Sequence, residues 1–125
     1  MINNFFVDKE IECNCGCHQL IDNDDTRDHF YKLILARLIA NKPFIVNSWN
    51  RCVDHNNKVG GSKTSSHLMG IATDIKCHQK DRLVILGALI KANFKRIIVY
   101  HNFIHCDTDL KKRSGLWYKN GSRFL

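Results

Sequence analysis

At 125 residues the chain is long enough for one domain with its own core, and 44% hydrophobic against 25% charged residues is ordinary for a globular fold. No apolar run approaches the roughly 20 residues that span a bilayer, and the opening MINNFFVDKEIE has neither the basic nor the apolar region of a secretory signal. The formal net charge of +7 favours polyanions in general (nucleic acid, anionic lipid or a bacterial wall), but Lys111-Lys112-Arg113 reads as a solvated run without a nucleic-acid-binding motif, so no specific nucleic acid is expected.

Residues 1–23 read as irregular, with an apolar Phe5-Phe6-Val7 and the thiol cluster Cys13-Asn14-Cys15-Gly16-Cys17. Asp24 or Asp25 is a good N-cap, and Phe30, Leu33, Ile34, Leu38 and Ile39 recur at helical spacing, which predicts a helix to about Asn41. Asn41-Lys42-Pro43 ends it, because proline cannot continue the hydrogen-bond ladder. Phe44-Ile45-Val46-Asn47 reads as a buried strand. Ser48 to Ser66 reads as a long polar loop around Gly60-Gly61, and such loops in small domains often carry function. Ile71 to Lys76 is a second strand. A second helix follows from about Asp81 to Asn93, with Leu83, Leu86, Leu89 and Ile90 on its buried side. Ile97–Tyr100 and Phe103–Asp107 are strand-like and close enough to form one bent strand, and the apolar residues around Asn120-Gly121 signal a hairpin. With no repeat and no linker, this order predicts a single α+β domain over residues 1–125, its helices packed on one mainly antiparallel sheet.

Six cysteines without an export signal argue for a reduced, thiol-rich chain rather than a disulfide framework. Cys52, Cys77 and Cys106 stand beside apolar residues and read as small core fillers. Strand-like alternation would put Cys13, Cys15 and Cys17 on one face, where packed, reduced thiols are the expectation. The alternative is a second, structural zinc held with His18, against which the spacing is tighter than the usual C-x2-4-C.

Chemistry concentrates in two segments. In Ser65-Ser66-His67-Leu68-Met69-Gly70-Ile71-Ala72-Thr73-Asp74-Ile75, a glycine turn separates His67 from Asp74. Apolar neighbours make Asp74 a poor place for a carboxylate unless it is paired or bound to a cation. In Phe103-Ile104-His105-Cys106-Asp107, alternation puts His105 and Asp107 on one face and Ile104 and Cys106 on the other. Two histidines and a carboxylate suit catalytic zinc, since three protein ligands leave a fourth position open. Each residue alone reads more readily as a loop cap, a satisfied strand histidine or an ion pair; the combination points to a metal. The same set serves non-haem iron, but those enzymes usually supply their second histidine downstream, and no histidine follows His105. His29, His55 and His78 show no constellation.

These segments resemble the zinc D-Ala-D-Ala carboxypeptidase and phage endolysin peptidase family, which shares its fold with the hedgehog signalling domain. The resemblance takes in Phe6 to Cys17, similar to an F-x-C-x-C-G-C opening, and Lys42 to Cys52, similar to K-P-x-x-I-N-S-G-Y-R-C. It continues through His55-Asn56, Val59-Gly60-Gly61, the S-x-H-x-x-G-x-A-x-D-I signature ending at Ile75, and Phe103 to Asp107. It implies His67, Asp74 and His105 as zinc ligands, and Arg51 as the contact to the substrate carbonyl or the developing oxyanion. Ser48 would support substrate or only shape its turn. The departure is Asn102, where many relatives carry an acidic general base. Asp107 is the preferred replacement, with orientation of a ligand histidine as its other role. His101 comes next, its other role being plain exposure at a turn.

The function implied is a zinc peptidase with one catalytic Zn2+. It would cut peptidoglycan stem peptides or cross-links as a D,D- or L,D-type carboxypeptidase or endopeptidase, in the manner of a phage or viral lysin. Such a protein is expected to be a monomer in the cytoplasm of the producing or host cell, acting on the cell wall after release or carried on a virion. Asn102 keeps an alternative open: a catalytically weak or inactive zinc-binding module of the same fold that recognises a peptide or protein partner.

Overall fold

The computed structural model describes residues 5–119. The N-terminal segment is less irregular than expected: a single helical turn, α1 (Asp8–Ile11), forms where Glu10 reaches back to the backbone N–H of Val7. The long helix α2 (Asp24–Ala40) starts one residue earlier than the aspartates suggest. Asn23 is the cap, accepting from the Thr26 N–H at 2.9 Å, while the Thr26 hydroxyl accepts from the Asn23 N–H at 2.8 Å. Two otherwise orphaned amides are thereby satisfied. Asn41 closes the helix in the left-handed region, just before Pro43.

The buried face of α2 differs from expectation. Phe30 and Leu33 are buried as predicted, but Leu38 and Ile39 are exposed, and the inward stripe runs instead through Thr26, His29, Ala36 and Ala40. The small alanines face inward over the last turns, where α2 packs against a second long helix, α4 (Arg82–Lys91). In α4, Leu86 and Leu89 are buried as expected, joined by Ile85 and Ala88, whereas Leu83 and Ile90 face outward. Asp81 does not cap α4, because its carboxylate is taken by Lys42 Nζ at 2.6 Å. A 3-10 turn over Gln79–Asp81 leads into the helix instead.

Among the described residues five strands form one sheet: β1 (Ile45–Ser48), β2 (Ala72–Lys76), β3 (Arg96–Val99), β4 (Phe103–Asp107) and β5 (Gly115–Tyr118). Their spatial order is β1-β2-β4-β3-β5, antiparallel except for the parallel pair β3/β5. The α+β arrangement with a mainly antiparallel sheet is as expected. β3 and β4 are the two arms of a hairpin rather than one bent strand. The Tyr100 N–H donates to the Phe103 carbonyl at 2.8 Å and their rings stack at 4.3 Å, leaving His101-Asn102 as the turn. The expected hairpin turn at Asn120-Gly121 lies outside the described residues.

The segment from Ser48 to Ser66 contains a short helix, α3 (Val53–Lys58), that its polar composition hid. Its cap is the sulfur of Cys52, which accepts from the His55 N–H at 3.3 Å. One side of the sheet and the two long helices share a core that includes Phe6, Phe30, Leu33, Trp49, Ile75, Leu89, Ile97 and Ile104. Cys77 and Cys106 are buried in it as predicted; Cys52 is not. None of the described helices is long and apolar enough to cross a membrane. The strand residues that point away from this core, together with the segments flanking α3, build the site.

Candidate metal centre

Strand pairing does most of the assembly. β2 and β4 run antiparallel with Asp74 directly opposite His105, and strand alternation that buries Ile75, Ile104 and Cys106 turns both polar residues to the other face. His67 arrives from a 3-10 turn (Ser66–Met69) in front of β2, and its own N–H donates to the capping Ser65 Oγ at 3.3 Å. His67 Nε2 lies 3.2 Å from Asp74 Oδ1, and His105 Nδ1 lies 2.9 Å from the same oxygen. One donor atom from each residue falls within 4.8 Å of the others, an arrangement that could hold a metal ion. Tetrahedral zinc with bonds of about 2.0–2.1 Å separates its ligand atoms by about 3.3 Å, so the spacing fits with little adjustment.

The outer nitrogens are fixed as a metal requires. His67 Nδ1 lies 2.7 Å from the Trp49 carbonyl, which can only accept, so this nitrogen carries the proton and Nε2 presents a lone pair. His105 Nε2 lies 2.7 Å from Asp107 Oδ2, leaving Nδ1 for the metal. Burial by itself would raise the pKa of Asp74, but hydrogen bonds and charge from His105 and His67 outweigh it and hold the carboxyl well below the usual carboxylate range. His105 moves the other way. Burial opposes its charged form, yet the hydrogen bonds to Asp107 and Asp74 prevail and raise its pKa.

Asp107 does not sit where a base could reach a water in the cleft. It is 1% exposed, its Oδ2 accepts from His105 Nε2 and from Arg96 Nε at 3.0 Å, and its Oδ1 accepts from the Asp109 N–H at 3.1 Å. Both oxygens are committed, which matches its other predicted role, orienting a ligand histidine. His101 is exposed in the β3–β4 turn and does not line the cleft above the triad. Neither candidate base is therefore brought to the metal position.

Arg51 is brought there. Its backbone N–H donates to the His67 carbonyl at 3.0 Å, and its Nη2 lies 3.8 Å from Asp74 Oδ2. Asn56 Oδ1 accepts from Nη1 at 3.0 Å and Ser48 Oγ accepts from Nη2 at 3.2 Å. Ser48 thus braces the arginine and is not among the residues that wall the cleft. A bulge between Val46 and Ser48 sets Ser48 opposite Asp74. The cleft, about 220 Å³, is walled by Arg51, Arg96, Lys112, Tyr100 and Phe103 around the triad. Burial, then the charge of Asp74, pushes the Tyr100 hydroxyl up in pKa, so it stays protonated and can donate.

A family model described as Peptidase M15 matches residues 4–107. The chain belongs to this family. M15 peptidases are zinc-dependent hydrolases, and the matched span holds all three clustered residues together with Arg51. No curated protein matches the chain significantly. Within this M15 chain, sequence reasoning missed Trp49, Asn56 and Arg96. Trp49 acts through its carbonyl, which side-chain identity cannot signal. Asn56 sat unread inside the His55-Asn56 pair. Arg96 becomes visible only through the strand register, which sets it opposite Asp107.

Proposed function

We propose that the chain hydrolyses peptide bonds in peptidoglycan stem peptides or cross-links, with zinc held by His67 Nε2, Asp74 Oδ1 and His105 Nδ1. The observation that carries this reading is the convergence of those three atoms at a cleft where Arg51 Nη2 lies 3.8 Å from Asp74 Oδ2. When bound, zinc would supply Lewis acidity at the scissile carbonyl and lower the cost of deprotonating water. The chain's own groups supply the rest. Asp107 and the Trp49 carbonyl keep the two histidines in the tautomers that face the metal position. Arg51, held by Asn56 and Ser48, offsets negative charge developing on the carbonyl oxygen. Tyr100 is a donor for the substrate backbone or the departing amine.

Arg96 and Lys112 add positive charge to the walls, which favours peptides bearing free carboxylates, as stem peptides do. The chain's net charge of +7 favours adhesion to an anionic wall, as a phage or viral lysin would need. The test is digestion of purified peptidoglycan by the zinc-loaded protein, read by mass spectrometry for new amino termini or released D-alanine. Cleavage abolished by chelator and by His67→Ala is expected. Intact peptides from several wall chemistries would overturn the reading.

A second reading is favoured by one observation: among the described residues no uncommitted carboxylate lines the cleft, since Asp74 belongs to the triad and Asp107 is saturated. A module that binds a peptide without cutting it needs no base. Stem peptide that binds the zinc-loaded protein and is recovered intact would replace the first reading with this one.

A further inference from the structure

Four cysteines meet in a second cluster that shares no residue with the His67–Asp74–His105 triad. Cys13, Cys15 and Cys17 curl around Gly16, whose φ of +91° is readily adopted only by glycine, so that three alternate thiols turn toward one centre. Cys52 joins them from the segment between β1 and α3. Cys13 Sγ lies 3.5 Å from Cys15 Sγ, Cys15 Sγ lies 3.6 Å from Cys52 Sγ, and all four sulfurs fall within 4.8 Å of one another. A tetrahedral zinc with Zn–S bonds of about 2.3 Å sets its sulfurs about 3.8 Å apart, close to this spacing.

Packing does not explain the arrangement. Cys77 and Cys106 are buried and behave as core fillers, whereas Cys15 and Cys17 are exposed and still converge on their neighbours. Backbone amides support the sulfurs from outside: Cys52 N–H donates to Cys13 Sγ at 3.4 Å, His55 N–H to Cys52 Sγ at 3.3 Å, and Gln19 N–H to Cys17 Sγ at 3.4 Å. Such donors stabilise thiolates, the form that binds metal. His18 is not part of the cluster: Cys52 takes the fourth place, and the four sulfurs converge without a histidine nitrogen among them.

We propose that Cys13, Cys15, Cys17 and Cys52 bind a structural zinc ion, separate from the triad. Thiolate ligands in a tetrahedral, closed set select zinc over the harder divalent cations. On ligation each S–H bond is replaced by an S–Zn bond and the proton passes to buffer, with no change of oxidation state. The ion staples residues 13–17 to Cys52, immediately after Arg51. It thereby reinforces the Asn50 contacts to the Ile11 carbonyl at 3.0 and 2.9 Å and the Asn14 contact to the Asn47 carbonyl at 2.8 Å. Its role is to position the arginine segment.

The test counts metal on the full chain, purified in reductant without chelator. Wild type is expected to carry two zinc ions. His67→Ala/His105→Ala is expected to keep one, and Cys15→Ser/Cys17→Ser, which alters only the exposed pair, to keep the other. With cobalt in place of zinc, the histidine double variant should retain intense thiolate-to-cobalt charge-transfer absorption, so the answer does not depend on the cysteine variant folding. Zinc that is wholly lost in the histidine double variant, iron at the thiols, or a histidine variant without thiolate charge transfer would overturn the proposal. Failure of the peptidase assay leaves this count unchanged, so the two ideas fail separately.

Discussion

Arg51 owes its position to neighbours that leave no spare room. A Cβ on Gly61 would fall 2.1 Å from Asn56 Oδ1 and 2.9 Å from Arg51 Nη1, so only glycine lets Asn56 reach the guanidinium. Gly61→Ala should push Asn56 aside and lower kcat/KM by roughly 10- to 100-fold, the worth of a hydrogen bond to a charged group. Zinc content, measured alongside, should stay at the wild-type value. Asp107→Asn separates two roles in a similar way. Loss of the carboxylate behind His105 should weaken zinc binding by about 10- to 100-fold, with much of the activity returning at saturating zinc. A kcat collapse with zinc affinity intact would instead mark Asp107 as a proton acceptor. The raised pKa of His105 fixes the sign of a third expectation: a proton competes for Nδ1, so zinc affinity should begin to fall at a pH above the ordinary histidine range near ~6.5. Titrating affinity against pH, with Asp107→Asn falling off lower, checks it. The triad was legible because its members are side chains within compact motifs. Of the groups around it, Asp107 was read in advance as a support for a histidine, but the Trp49 carbonyl, Asn56 behind Arg51 and Arg96 behind Asp107 were not, being a backbone atom, an asparagine across a turn and a cross-strand arginine.

Helices and strands were legible wherever a local signal decides. Pro43 and Asn41 mark the end of α2, and alternation marks β4. What failed was the choice of face. Leu38 looks like core by composition, yet Ala36 and Ala40 take the inward positions where α2 meets α4. Leu33→Ala should therefore cost about 2–5 kcal/mol in chemical denaturation, while Leu38→Ala should stay within ~0.5 kcal/mol. Equal effects would contradict the packing. α3 escaped notice because its cap is a sulfur, a role that sequence rules assign to Ser, Thr, Asp or Asn. The β3–β4 hairpin was misread because His101-Asn102 lacks the glycine of a standard two-residue turn, and the Tyr100–Phe103 stack that holds it is apparent only in three dimensions.

Across the whole molecule, His29 links α2 to the sheet and to the segment after β4. It is fully buried, its Nε2 is 2.8 Å from the Thr73 hydroxyl and its Nδ1 is 3.2 Å from the Thr108 hydroxyl. Burial first, then the like charges of His67 and His105, push its pKa down to about 3. Below about pH 6.5 the unfolded chain takes a proton there that the native chain refuses. The contribution of His29 to stability is therefore complete above that pH and is lost as pH falls toward 3, a few kcal/mol at the limit. Denaturation of the chelated protein across this range should show the slope, and His29→Gln should remove it. The strand order has a consequence for how the site lets go. β2 and β4, which carry Asp74 and His105, lie inside the sheet, with β1 and β3 as their outer neighbours. Fraying at the margins would leave their amides protected, so hydrogen exchange at these two strands should be among the slowest in the chain. Release of an ion bound at the triad, if governed by those strands, would then keep time with opening of the core rather than with breathing of the rim.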